Sequence, residues 1–229
     1  MKKLLSTLIL ALVLFIVIII LLPIIVRGKS DKAILKETLD FFSAPLKSTD
    51  SIALLEESVD SGAIRLALID KAEQSIDICY HTVKEGNYSA SFFNHLFEAA
   101  DRGVQIRILV DELMGGLTYS TKRKLASYPN ITLFLYEKMS IFRPWTINNR
   151  LHDKLFVIDS DYAITGGRNI ADKLYGYDQK LIAPVYDRDL LIKRNSAVSI
   201  IDSMNSYFTT FLELKYVKEL KVEKINTKP

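Results

Sequence analysis

From Leu4 to Val26 no residue carries a charge, and the run is bracketed by Lys2 and Lys3 on one side and by Arg27 and Lys29 on the other. An apolar helix of ~20 residues crosses the hydrocarbon of a bilayer. The run therefore sets residues 1–29 apart as a membrane anchor from everything that must fold after it. A cleaved signal peptide would carry a shorter apolar region and a small-x-small cleavage site, which Leu21-Leu22-Pro23-Ile24-Ile25-Val26 does not offer. An uncleaved, single-pass anchor in the cell membrane is expected. Basic residues flank both ends, but so short a basic N-terminus favours the inside and leaves the folded part extracytoplasmic.

With the anchor set aside, composition becomes informative. The chain has 30 Lys and Arg against 27 Asp and Glu, and residues 1–29 hold four of the bases and none of the acids. The folded part is thus near neutral. A nucleic-acid interface wants a basic face able to replace condensed counterions, so neutrality weighs against such a partner. A local patch from Lys122, Arg123, Lys124, Arg143, Arg150 and Arg168 remains conceivable on sequence grounds, and a phosphate site accounts for it equally well. Cys79 is the sole cysteine, which rules out an intramolecular disulfide; its place in an apolar strand reads as a buried thiol.

About 200 residues remain, enough for one domain with a full core. Residues 30–50 read as a charged helical stalk, Asp31 to Ser43, and a linker, Ala44 to Thr49. Residues 51–214 form the domain and 215–229 a charged, solvated tail. Within the domain a helix is expected over Ile64–Ala72, a strand over Ser75–Val83, a helix over Ser89–Arg102 capped by Gly103, and a near-continuous apolar strand over Val104–Val110. A helix at Thr118–Ser127, a strand at Ile131–Tyr136, a hairpin from Leu151 to Thr165, an edge strand at Arg188–Ile192 and an amphipathic helix at Ala197–Phe211 complete the order. This pattern predicts an α/β fold with a mixed, mostly parallel sheet flanked by helices. Asp111 and Glu112 end a parallel strand, where ligands bind in open α/β sheets, although a solvated loop acid is the commoner role. His81 follows an alternating strand and falls at its end, His95 on a helix surface, and Trp145 in the loop before the hairpin.

The chemistry concentrates in RLHDKLFVIDSDYAITGGRN, where His152, Lys154 and Asp159 are spaced H-x-K-x4-D and are followed by Gly166, Gly167, Arg168 and Asn169. Side chains alternate along a strand, so His152 and Lys154 at i and i+2 share a face. A neutral imidazole can attack phosphorus and hold it covalently, splitting one displacement into two easier ones. Lys154 neutralises a non-bridging oxygen as charge builds, and Asn169 can donate to the same group. No metal or cofactor is called for. Gly166 and Gly167 let the backbone approach a phosphate, and a helix beginning near Asn169 would add its free amides. Asp159 can orient an imidazole, although Asp159-Ser160-Asp161 also reads as a hairpin turn chosen for local reasons. Arg150 and Arg168 are candidates for a second phosphate.

These residues resemble the phospholipase D superfamily, whose mark is H-x-K-x4-D-x6-G-[SG]-x-N, matched here at His152, Lys154, Asp159, Gly166, Gly167 and Asn169. The flanking text looks most like the bacterial cardiolipin synthase branch, and the resemblance runs from about Ser61 to Phe211. It implies transfer or hydrolysis of a phospholipid phosphodiester through a phosphohistidine. A second motif copy would supply the proton for the leaving group.

Members of that branch usually carry two motifs in a chain; here there is one. His81 and His95 lack the Lys and Asp spacing. Either two chains pair as a homodimer and each gives one copy, or the chain resembles the N-terminal half of a longer two-motif enzyme, truncated or split, whose complementary half carries the second. Two other readings stand beside this one: a non-catalytic remnant that retains a phosphate pocket, and an anchored homodimeric nuclease.

Overall fold

The computed structural model describes residues 2–25, 48–138, 140, 144–177 and 185–225, in two compact units. The first holds residues 1–46 with 139–149, and the second holds 47–138 with 150–229. The first unit's helix α1, Lys2–Ile25, contains an 18-residue window of mean hydropathy 2.5 that is not buried in the protein, long and apolar enough to cross a membrane. In the same unit a 3-10 turn, Pro144–Asn148, packs against α1. The expected stalk and Arg143 lie outside the described residues, as does the side chain of Trp145.

The second unit is one eight-stranded sheet. Its strands are β1 (Ser51–Leu55), β2 (Ser75–Tyr80), β3 (Gln105–Asp111), β4 (Ile131–Tyr136), β5 (Lys154–Ile158), β6 (Tyr162–Gly166), β7 (Asp189–Lys193) and β8 (Val217–Glu219), in the order β1-β7-β6-β5-β2-β3-β4-β8. Only β2, β3 and β4 run parallel to one another; every other pairing is antiparallel. The sheet is therefore mixed, with parallel pairing confined to its middle. Two expectations are corrected here. The strand near Arg188–Ile192 is β7, which is interior, because the unanticipated β1 pairs with its outer side. The tail after Lys215 is not wholly solvated, since Val217–Glu219 adds β8 to the β4 edge.

Helices α2 (Ser58–Lys71), α3 (Asn87–Asp101) and α4 (Tyr119–Ser127) cover one face, and α5 (Ile200–Leu212) covers the other. Strand alternation explains the two cores. Ile76, Ile78, Ile106, Ile108, Phe156 and Ile158 point toward α2, α3 and α4, whereas Cys79, Leu109, Leu155 and Val157 point toward α5. Burying each large side chain contributes about 1.5–3 kcal/mol. α5 starts with a capping box in which Ser199 accepts from Ile201 N and Asp202 reaches back to the Ser199 amide. On the α5 face the polar pair Asp77–Arg107 spans β2 and β3 at 2.6 and 2.7 Å, and the guanidinium lies 5.1 Å from the Phe208 ring.

Sheet direction fixes where chemistry can collect. β5 runs antiparallel to β2, so the first residues of β5 lie beside the last of β2, and β3 and β6 also end there. His81, Asp111, Lys154 and Gly166 are thereby gathered at one end of the sheet.

Candidate active site at one end of the sheet

Ladder pairing sets Tyr80 opposite Lys154, and His81 N continues it by donating to Asp153 O at 3.2 Å. His152 is exposed and Lys154 is 8% exposed. The Lys154 ammonium donates to His152 O at 2.8 Å and sits 3.1 Å from Nδ1 and 3.3 Å from Nε2 of the same residue. Placed so evenly between the two nitrogens, it fixes neither tautomer. Burial lowers the Lys154 pKa, while Asp153 and Asp187 act against that shift. The intervening Asp153 points to the other face, where its carboxylate accepts from Tyr207 Oη at 2.5 Å.

Asn169, in the segment after β6, is held beside the residue that follows His81. Its Oδ1 accepts from Thr82 N at 3.1 Å, which settles the amide orientation and leaves Nδ2 as a donor with no partner among the described residues. The expected helix at Asn169 does not form. Ile170 instead makes a parallel bridge with Val83: Ile170 N donates to Thr82 O at 3.2 Å and Lys84 N to Ile170 O at 2.8 Å. Of the amides proposed for a phosphate, that of Ile170 is thus committed to the chain. A short 3-10 turn at Asp172–Leu174 follows, and the Asp172 carboxylate accepts from Asn87 N and Tyr88 N at the start of α3.

Backbone at the start of β7 requires the first glycine, and the second lies against a side chain just before that strand. A Cβ on Gly166 would collide with Asp189, and one on Gly167 with the carboxylate of Asp187. Asp187 and Lys154 also interact electrostatically, which places a carboxylate near the ammonium. Sequence reasoning passed over Asp187; the only available signal was an acid just before a strand that pairs with the Gly-Gly segment.

Three expected roles are not met within the chain. Asp159 lies at the opposite end of β5 from His152. Its carboxylate accepts from Glu73 N, Gln74 N and Ser75 N, each at 2.8 Å, tying the α2–β2 connection to the β5–β6 hairpin. Asp159 and Ser160 have φ of 52° and 58°, the left-handed pair that hairpin turns of the primed kind need. Arg168 is fully buried, so it is not available to a second phosphate. It donates to Leu55 O at 2.9 Å, Glu56 O at 2.6 Å and Asp189 Oδ2 at 3.1 Å. Arg150 is held by Asp111, Nη1 to Oδ1 at 2.9 Å.

Asp111 itself is buried and fully occupied. Oδ1 also accepts from Leu113 N and Met114 N, and Oδ2 accepts from Leu151 N. It positions the residue before His152 and does not reach a substrate. Of the suggested basic patch, Lys122 pairs with Glu112 at 3.4 Å and Arg168 is buried, while Arg143 lies outside the described residues.

Beneath the site lies a network that the sequence did not disclose. Asp189 Oδ2 accepts from Ser61 Oγ and Arg65 Nη2, both at 2.9 Å, and from Arg168, while Oδ1 accepts from Arg168 N at 3.2 Å. Arg65 Nε donates to Tyr80 Oη at 3.2 Å. Burial opposes ionisation of Asp189, yet Arg65 and the hydrogen bonds hold its pKa below the ordinary carboxylate value. The network joins β7, α2, the turn bearing Asn169 and the strand leading to His81. His81 also stands in the site, its ring centroid 4.9 Å from that of His152.

Comparison with known proteins bears on the family and the fold. "Cardiolipin synthase C" of Escherichia coli is 33% identical over 131 residues, 53% of this chain and 28% of that protein. The chain spans about a third or less of the length of the curated relatives it matches. Among solved structures, phosphatidylserine synthase of Haemophilus influenzae superposes with a TM-score of 0.63 at 16% identity, over 88% of this chain and 45% of that one. Nuc of Salmonella typhimurium, a phospholipase D family member, gives 0.56 at 17% identity, over 76% and 99%. At such identities the structural likeness speaks for the fold alone. A family profile described as "Cardiolipin synthase, PLD-like domain" matches residues 66–211, and the chain belongs to that family.

Proposed function

We propose that this protein is a membrane-anchored phosphatidyltransferase or phosphodiesterase that acts on phospholipids through a covalent phosphohistidine on His152. The observation that carries the reading is the grouping of His152, Lys154 and the donor face of Asn169 at one end of the sheet. An imidazole nitrogen of His152 attacks phosphorus; the N–P bond forms as the bond to the leaving alcohol breaks. Lys154 and Asn169 hold the non-bridging oxygens while charge builds on them. A second alcohol, or water, then attacks phosphorus, and the N–P bond breaks.

Each displacement needs a proton delivered to or taken from the oxygen opposite His152. That group comes from a second motif, in a homodimer or a complementary half. Helix α1 supports an anchored reading by its length and apolarity, and an anchored site meets lipid substrate without leaving the bilayer. Near-neutral charge outside residues 1–29 supports lipid over nucleic acid.

The test is reconstitution of the full chain in vesicles of phosphatidylglycerol, with chelator present. Expected products are cardiolipin and glycerol, or phosphatidic acid where water is the acceptor. A preparation that cleaves DNA and leaves the lipid unchanged would support the nuclease reading, and one inert to both would support a remnant pocket. Light scattering in detergent reads the copy number.

A further inference from the structure

His81 is outside the motif and unexplained by it, although it shares the site. Its Nδ1 lies 2.9 Å from Thr82 Oγ1, and Thr82 Oγ1 donates to Met114 O at 2.9 Å. A hydroxyl has one proton, and a carbonyl has none to give. Both bonds form together only when Nδ1 carries the proton and Thr82 accepts it. Nε2 is then the bare nitrogen, with no partner among the described residues.

Position limits what this nitrogen can do. Ring centroids 4.9 Å apart and tilted by 51° describe two imidazoles in contact, side by side. No phosphorus fits between them. Attacking and leaving groups at phosphorus lie roughly in line, so the acid or base for the departing oxygen stands across the phosphorus from His152, where His81 is not. A group beside the nucleophile meets the equatorial, non-bridging oxygens.

We infer that His81 is a phosphate-binding residue of this site, contacting a non-bridging oxygen through Nε2 and doing so favourably only when protonated. The inference rests on the phosphodiester reading above and adds to it a pH-dependent affinity. Groups facing His81 are His152, Lys154 and Arg150, which oppose its protonation, and Asp111, which favours it. Burial, first of all, and then His152 and Lys154 lower its pKa from 6.5. In the free protein near neutral pH its lone pair therefore faces the incoming anion. Binding a monoanionic phosphodiester favours the protonated form, so binding takes up a proton. Affinity rises as pH falls through the pKa of the bound state and levels off below that of the free state.

Dimethyl phosphate is a suitable probe, because its single charge is constant over this range. Calorimetry on the full chain in detergent, at pH 7.5 and 5.0, compares wild type with His81→Gln, His81→Asn and His152→Gln. For each unit by which the anion raises the His81 pKa, the wild type gains about tenfold in affinity at the acid pH. Both His81 variants should gain less at acid pH than the wild type, the double variant His81→Gln/His152→Gln should bind equally at the two pH values, and His152→Gln alone should keep a gain. An acid gain undiminished in the His81 variants, or one that His152→Gln alone removes, overturns the inference while leaving the phosphodiester site standing. Absence of wild-type binding at both pH values overturns the two together.

Discussion

The two ends of strand β5 carry the two halves of one motif and do different work. At the first end His152 is open to solvent, Lys154 hangs over it, and His81 and Asn169 lie at the same end with unused polar atoms. At the other, Asp159 spends its carboxylate on three backbone amides and its own backbone on a turn. Reactive groups are left underused and supporting groups are saturated. A spaced signature therefore does not imply that all its members meet at one point. H-x-K spans one turn of the pleat and reaches one site; the following x4-D reaches past the length of the strand.

That contrast can be broken by substitution. The largest effect is expected from His152→Asn, which should lower turnover by a factor on the order of 10³ or more while leaving the melting temperature unchanged, as befits a nucleophile with no structural duty. Activity within tenfold of wild type would remove His152 from the chemistry. Next comes Arg65→Met, which leaves Asp189 with one fewer buried partner. Breaking a buried pair by removing one member costs about 3–5 kcal/mol, read as a shift in the urea midpoint. An unchanged midpoint would mean that the network under the site does not support it.

Asp159→Ala sharpens the comparison most. Three amides lose an ionised acceptor but stay partly reachable by water, so about 2–3 kcal/mol of stability should be lost, with turnover per folded molecule within about threefold of wild type. Loss of turnover in a folded Asp159→Ala protein would return Asp159 to the catalytic end and erase the distinction. The smallest effect concerns acid. Because the Asp189 pKa is held below its unfolded value of 3.8, its contribution is complete above that value and disappears as pH falls through the lower, folded one. Asp189→Asn should flatten the pH dependence of stability below pH ~4. An undiminished slope would assign that dependence to other carboxylates.

Much of the architecture was legible in the chain. Alternation in Ile76–Tyr80 and the apolar run at Val104–Val110 report burial of strands directly, and the shared face of His152 and Lys154 follows from period two. What escaped depends on partners distant in sequence. β1 and β8 are short, and each acquires strand character only by pairing with β7 or β4. Arg168 reads as a phosphate ligand until the fold wraps Leu55, Glu56 and Asp189 around it. Gly166 and Gly167 read as a phosphate cradle, whereas the close neighbours are β7 and Asp187 just before it. His81 has no spacing to announce it, because its relation to His152 exists only across the β2–β5 ladder.

The most direct measurement of the central claim is the stereochemical course at phosphorus, followed by 31P NMR with a substrate made chiral by sulfur and oxygen isotope. Attack by His152 and then by an alcohol inverts the centre twice, so the account predicts overall retention of configuration. Net inversion would mean a single direct displacement, and the covalent role given to His152 would be contradicted.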